Sequence, residues 1–250
     1  MSTPARAYKT LAVVLRGRNL GEADRIVTLF TTARGKVDAV AKGVRRQKSH
    51  LAGRLEFATE VNLSMHRGRT LDVIVAAEIE RAHWSGIVRP HAYAAACVVT
   101  ELIDAFCEPD LAMPEVYDLL TGAIAAIGAS DAPTSLIARF SLRLLGALGL
   151  APPADSCVRC GAPFSGKGAW LDSEQGGLAG VECRAASRDS LELTAADLEN
   201  FRALGARKGG ELRAAVQANA SVAKAIDALV HAHLGRRPKA GAHAAEFVTG

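Results

Sequence analysis

Residues 19–49 read NLGEADRIVTLFTTARGKVDAVAKGVRRQKS. The β-branched run Arg25–Thr31 and the shorter Val37–Ala41, set apart by the Arg34-Gly35 turn, predict two strands. The same stretch carries Arg25, Arg34, Lys36, Lys42, Arg45, Arg46 and Lys48 against three acids, Glu22, Asp24 and Asp38. Cations at that density repel one another, so a strand-and-turn surface that keeps them suits a polyanion.

Working outward, Tyr8–Arg16 reads as a strand ended by Gly17 and Gly21, and Glu60–Met65 and Leu71–Ile79 flank the turn His66-Arg67-Gly68-Arg69. Five strands in roughly 75 residues predict a small closed or nearly closed barrel; an OB-fold has that size and binds oligonucleotides, though other small barrels fit the strand count nearly as well. After Pro90 the period becomes helical. Tyr93, Cys97, Val98, Leu102, Ala105 and Phe106 share one stripe; Val116, Leu119, Leu120, Ile124 and Ile127 another; Leu136, Ile137, Phe140, Leu144 and Leu148 a third, stopped at Gly149. Residues 151–188 turn Gly-, Pro- and Cys-rich. Thr194 with Asp197 predicts a capping box, and a last helix is expected from about Glu211 to Leu234, carrying Leu212, Val216, Ile226, Leu229 and Val230. The expected organisation is α+β: a barrel over 1–82, helices over 83–150 and 191–250, and a Cys-containing insertion over 151–190.

The net charge of +4 conceals a segregation. Residues 1–89 hold 16 Lys and Arg against 8 Asp and Glu, whereas residues 90–155 hold 2 against 8. The excess therefore belongs to the barrel. Candidate phosphate contacts are Arg16, Arg18, Arg25, Arg34, Lys36, Lys42, Arg45, Arg46, Lys48, Arg67 and Arg69. Tyr8, Phe30, Phe57 and Trp84 are the only aromatics in residues 1–89, so binding is expected to be mostly electrostatic and weakly sequence-selective. About six to ten engaged phosphates would lower affinity roughly 10³- to 10⁵-fold between about 50 and 200 mM salt. The apolar run Leu11–Leu15 is far too short to span a bilayer, and a cytoplasmic, nucleoid-associated protein is expected.

Five cysteines divide into Cys97 and Cys107, read as core thiols on a helix, and a cluster of Cys157, Cys160 and Cys183. Cys157-Val-Arg-Cys160 has the spacing of a metal knuckle, in which two thiolates face one tetrahedral zinc. A complete ribbon needs a second pair, but Gly180 stands three residues before Cys183. The fourth ligand would then be an acid, His231, His233, His243 or water; the other reading is a ribbon-shaped loop without metal, packed around Phe164, Trp170 and Leu171. The segment Gly161-Ala-Pro-Phe-Ser-Gly166-Lys167-Gly168 copies most of a phosphate-binding loop but has Gly168 where Ser or Thr would hold Mg²⁺, and it lacks the strand-then-helix context. No catalytic constellation stands out, and no enzymatic activity is expected.

Gly21-Glu22-Ala23-Asp24-Arg25-Ile26-Val27-Thr28-Leu29, Gly35-Lys36, Ala41-Lys42-Gly43-Val44-Arg45-Arg46, Lys48-Ser49 and Arg54-Leu55-Glu56-Phe57 resemble the N-terminal barrel of the bacterial recombination mediator RecO family. The likeness resumes at Ala138-Arg139-Phe140, Leu144-Leu145-Gly146, the Cys157/Cys160 knuckle and His233-Leu234-Gly235-Arg236-Arg237-Pro238. It implies an OB-fold, a helical domain and an embedded zinc-ribbon-like element. It also implies a non-enzymatic role in DNA repair by a RecF-type pathway: binding single- and double-stranded DNA, annealing complementary strands, and helping load recombinase onto strands coated by single-stranded-DNA-binding protein (SSB). The implied partners are RecR and the acidic, hydrophobic C-terminal tail of SSB. DNA contact carries over to Arg25, Lys36, Lys42, Arg45, Arg46 and Lys48, and SSB-tail contact to Arg139 and Phe140. Many family members have four ribbon cysteines and some have none, so Gly180 puts the metal in question but not the fold. Two alternatives stay open: an OB-type binder of RNA, and an enzyme using the Gly161–Lys167 loop.

Overall fold

The structure is a computed structural model that describes residues 7–131, 133–164, 166–184, 191–206, 217–236 and 238–240. Five strands, β1 (Ala7–Leu20), β2 (Asp24–Thr31), β3 (Gly35–Ala41), β4 (Glu60–His66) and β5 (Asp72–Arg81), close into a barrel in the order β1-β2-β3-β5-β4. All pairings are antiparallel except β3 with β5, which closes the barrel through Ala39↔Asp72 and Val40↔Val73. This is the expected OB-fold barrel.

Alternation along each strand sorts side chains between two cores. Ala12, Val14, Val27, Leu29, Ala39, Leu63 and Ile74 fill the barrel, whereas Val13, Leu15 and Phe30 point outward into the helical core. A bulge lies between Val14 and Arg16. The inserted residue flips the side-chain parity, so Arg16 and Arg18 pair opposite Thr28 and Ile26 on the outer face instead of entering the barrel. The strand continues through Gly17 to Leu20, past the expected break. A Cβ at Gly17 would stand 2.9 Å from the Arg25 Cδ that crosses it, so a side chain there would displace the Arg25 arm.

A short helix, α1 (Trp84–Ile87), not foreseen from the sequence, leads into α2 (Pro90–Phe106), α3 (Pro114–Ala129) and α4 (Thr134–Ala147). Proline supplies the first turn of α2 and α3, where its missing N–H costs nothing. The insertion holds β6 (Ala169–Asp172) and β7 (Gly177–Ala179), which form a small sheet in the order β7-β6-β8 with β8 (Glu192–Leu193). Helix α5 (Ala195–Gly205) starts at the expected Thr194/Asp197 capping box. Helix α6 (Ala220–Leu234) starts at Asn219, whose side chain accepts from the Val222 N–H at 2.9 Å. Residues Glu211, Leu212 and Val216 of the expected longer helix lie outside the described residues. Leu120, Ile124, Phe140, Leu145, Phe201 and Leu229 meet in one helical core, so the helices on both sides of the insertion pack together.

Candidate nucleic-acid interface

The β1–β2 hairpin tip and the loop of residues 42–59 share one end of the barrel. Backbone N–H groups tie them together: Gly43 donates to Asp24 Oδ1 at 2.7 Å, and Arg45 to the Ala23 carbonyl at 3.0 Å. The Arg45 guanidinium also donates to the Gly21 carbonyl at 3.2 Å. Within the loop, Val44, Leu51 and Leu55 are buried in the barrel core. These anchors hold a loop of successive turns in one shape, and Lys42, Arg45, Arg46 and Lys48 face water from it. Arg18 is exposed on the neighbouring strand end. Among the described residues no carboxylate oxygen lies within 4 Å of any of these five cations. Arg25 adds a sixth charge; its 3.4 Å contact with the half-exposed Glu56 is a weak surface pair. Arg54, in the same loop, is half-buried.

The other expected contacts lie elsewhere. Arg34 is 17% exposed and is held by Asp72, Asp110 and the Tyr8 hydroxyl, with its guanidinium 5.4 Å from the Tyr8 ring centre. Burial, then the hydrogen bond to Asp72, push the Tyr8 phenol up to about 12. Lys36, 16% exposed, donates to the Asp104 carbonyl and lies 3.6 Å from its carboxylate; Arg16 donates to that carboxylate at 2.8 Å. These three cations fasten the barrel to its own acids and to α2. Arg67 and Arg69 are exposed in the β4–β5 turn, at the opposite end of β1, where His66 pairs with Ala7. The eleven candidates therefore do not form one surface: six gather, Arg34 and Lys36 are held in part-buried pairs, the exposed Arg16 is paired with Asp104 of α2, and two stand apart.

Arg139 and Phe140 also differ from expectation. Phe140 is wholly buried and Arg139 is 6% exposed, both on α4. Phe140 is part of the helical core, so any contact of the SSB tail with this pair would have to be made through Arg139 and its surroundings on α4. Burial, then the neighbouring Arg143 charge, lower the Arg139 pKa.

In the insertion, the sulfurs of Cys157, Cys160 and Cys183 lie within 4.8 Å of one another, and among the described residues no acid or histidine joins them. His233 packs instead against the turn at Gly176, and His243 lies outside the described residues. Burial would raise the Cys157 thiol, but backbone N–H groups of Gly180, Cys160 and Arg159 hold it down to about 7. Hydrogen bonding to Cys160 and Cys157 pushes Cys183 up to about 11. This donor set could fill three corners of a thiolate tetrahedron, and Gly180, in the sequence position of the fourth cysteine, has no side chain to offer. The three cysteines are an incomplete metal site, and a closed structural zinc would need a ligand from elsewhere.

Among the described residues no helix is long and apolar enough to cross a membrane. Residues 4–83 match the family model described as recombination protein O N terminal, and residues 89–242 match the one described as recombination protein O C terminal. The two matches divide where β5 gives way to the helices. With an OB barrel, a helical body and a ribbon of cysteines in that order, the chain belongs to the RecO family of DNA repair and recombination proteins.

Proposed function

We propose that this chain is a non-enzymatic recombination mediator that binds single- and double-stranded DNA, anneals complementary strands and helps load recombinase onto SSB-coated DNA. One observation carries the reading: Arg18, Arg25, Lys42, Arg45, Arg46 and Lys48 gather at one end of the barrel, and among the described residues only Arg25 has a carboxylate within 4 Å. A phosphate chain laid there would release its condensed counterions without disturbing internal ion pairs. Annealing follows from the same electrostatics, because a surface that neutralises two strands removes the repulsion between them. On this reading residues 1–82 are the DNA-binding unit, and residues 83–150 and 191–250 form one helical unit interrupted by the insertion at 151–190. Its partners are RecR and the SSB tail.

Replacement of Arg45, Arg46 and Lys48 together by Glu tests the proposal in a strand-annealing assay. The loop's buried anchors are untouched, so the thermal melt should stay within a few degrees of wild type while annealing is lost. Wild-type annealing by the folded variant would reject the assignment of this surface.

A further inference from the structure

Two adjoining hollows lie where the barrel meets α2. The larger, about 760 Å³, runs from Asn19 and Arg25 at the cationic end of the barrel, past Phe57 and Tyr93, to Arg236 and Lys239. The smaller, about 350 Å³, shares Glu56, Phe57 and Tyr93 with the first and continues to Trp84, Ile87 and Val88. Phe57 and Tyr93 meet edge to face, with ring centres 5.3 Å apart at 61°. Trp84 is 40% exposed, Tyr93 50% and Val88 76%. The indole N–H of Trp84 is satisfied by the Thr59 hydroxyl at 2.9 Å. That bond fixes the ring while leaving much of it in water.

We propose that Phe57, Trp84 and Tyr93 form a stacking platform for unpaired nucleobases, fed by the cationic end of the barrel. The inference rests on the DNA-binding reading above and adds to it a means of distinguishing single strands from duplex. Charge along the track favours this occupant. Among the described residues Arg18, Lys42, Arg45, Arg46 and Lys48 have no carboxylate within 4 Å at the barrel end, but within the larger hollow Arg16, Arg25 and Arg236 face Asp104, Glu56 and Glu101. Phosphates are drawn to the first region; the second is nearly neutral and aromatic, which suits the bases that follow. Duplex bases are already stacked inside the helix and cannot reach the rings, whereas every unpaired base offers a π-face. The four aromatics of residues 1–89 looked too few for stacking because Tyr93 belongs to the helical segment, and only the packing of α2 beside the 42–59 loop unites it with Phe57.

The chain has two tryptophans. The second, Trp170, lies in the insertion with the Arg184 guanidinium 3.7 Å from its ring centre. Trp170→Phe therefore leaves Trp84 as the sole indole emitter. Titration of that full-length variant with oligothymidine should quench its emission, while a duplex of equal length should bind, by anisotropy of a dye on the DNA, without comparable quenching. Tyr93→Ala and Trp84→Ala should each weaken oligothymidine binding roughly 5- to 150-fold and leave duplex binding unchanged. Single-strand binding without quenching, or with affinity unchanged in both variants, overturns the platform, yet leaves the cation surface standing. Absence of binding to either DNA would reject the cation surface and the platform with it.

Discussion

Gly180 stands beside the thiol cluster, three residues before Cys183, where a second knuckle would carry its first cysteine. Its φ of −64° and ψ of 159° are ordinary for any residue. A Cβ built on it lies 3.9 Å from Cys157 Cβ and 3.9 Å from Phe164 Cδ1, which is normal van der Waals contact. Gly180→Cys should therefore convert three thiols into a closed four-thiolate site. Elemental analysis of untagged protein should find one zinc per variant chain, retained against a chelator that strips wild type; equal metal content in the two proteins would contradict this. Arg34 illustrates the converse at the same scale. Its position in a basic stretch suggests a phosphate contact, but Asp72 and Asp110 lie far along the chain and close in space. Nothing local in the sequence announces such partners, because ion pairing across a barrel depends on strand order.

Among the elements, α5 owes its start to a reciprocal cap. The Thr194 hydroxyl accepts from the Asp197 N–H at 3.2 Å, and Asp197 accepts from the Thr194 N–H at 2.8 Å and from the Asn219 amide at 2.7 Å. Burial alone would raise the Asp197 carboxyl, but the Thr194 N–H and hydroxyl and the Asn219 amide hold it below the usual range. A lowered folded pKa means that the ionised cap contributes its full stability above the unfolded carboxylate value, about 4, and loses it as pH falls through the lower folded value. Asp197→Ala should cost about 1 kcal/mol at neutral pH, and the gap from wild type should narrow in acid melts below about pH 4. A gap independent of pH would show that packing, not the charge, is what the carboxylate provides. This cap was readable in advance because its partners are three residues apart. The bulge at β1 was not: the runs on either side of Leu15 are equally apolar or equally polar by residue type, and only pairing with β2 reveals the change of parity.

For the molecule as a whole, the salt dependence of DNA binding should be gentler than a count of basic residues suggests. Arg16, Arg34 and Lys36 are paired with Asp104, Asp72 and Asp110, and Arg67 and Arg69 stand at the far end of the barrel. About six cations remain, for which the log–log slope on single strands is near −4, a fall on the order of 100- to 300-fold between about 50 and 200 mM salt. Anisotropy titrations across that range check it. A loss beyond about 10³-fold would mean that the internally paired cations are recruited as well.

The number and order of the strands, the helix stripes, the Thr194–Asp197 cap and the cysteine knuckle follow from neighbours a few positions apart, and those the chain specified through residue type and spacing alone. Which cations face a ligand, whether Phe140 is a surface or an interior, and how Phe57 comes to meet Tyr93 were settled by the closing of the barrel and its packing on α2. Each of those outcomes depends on contacts between distant segments, where burial and ion pairing compete for the same side chain, and that competition is resolved only when the whole chain is folded.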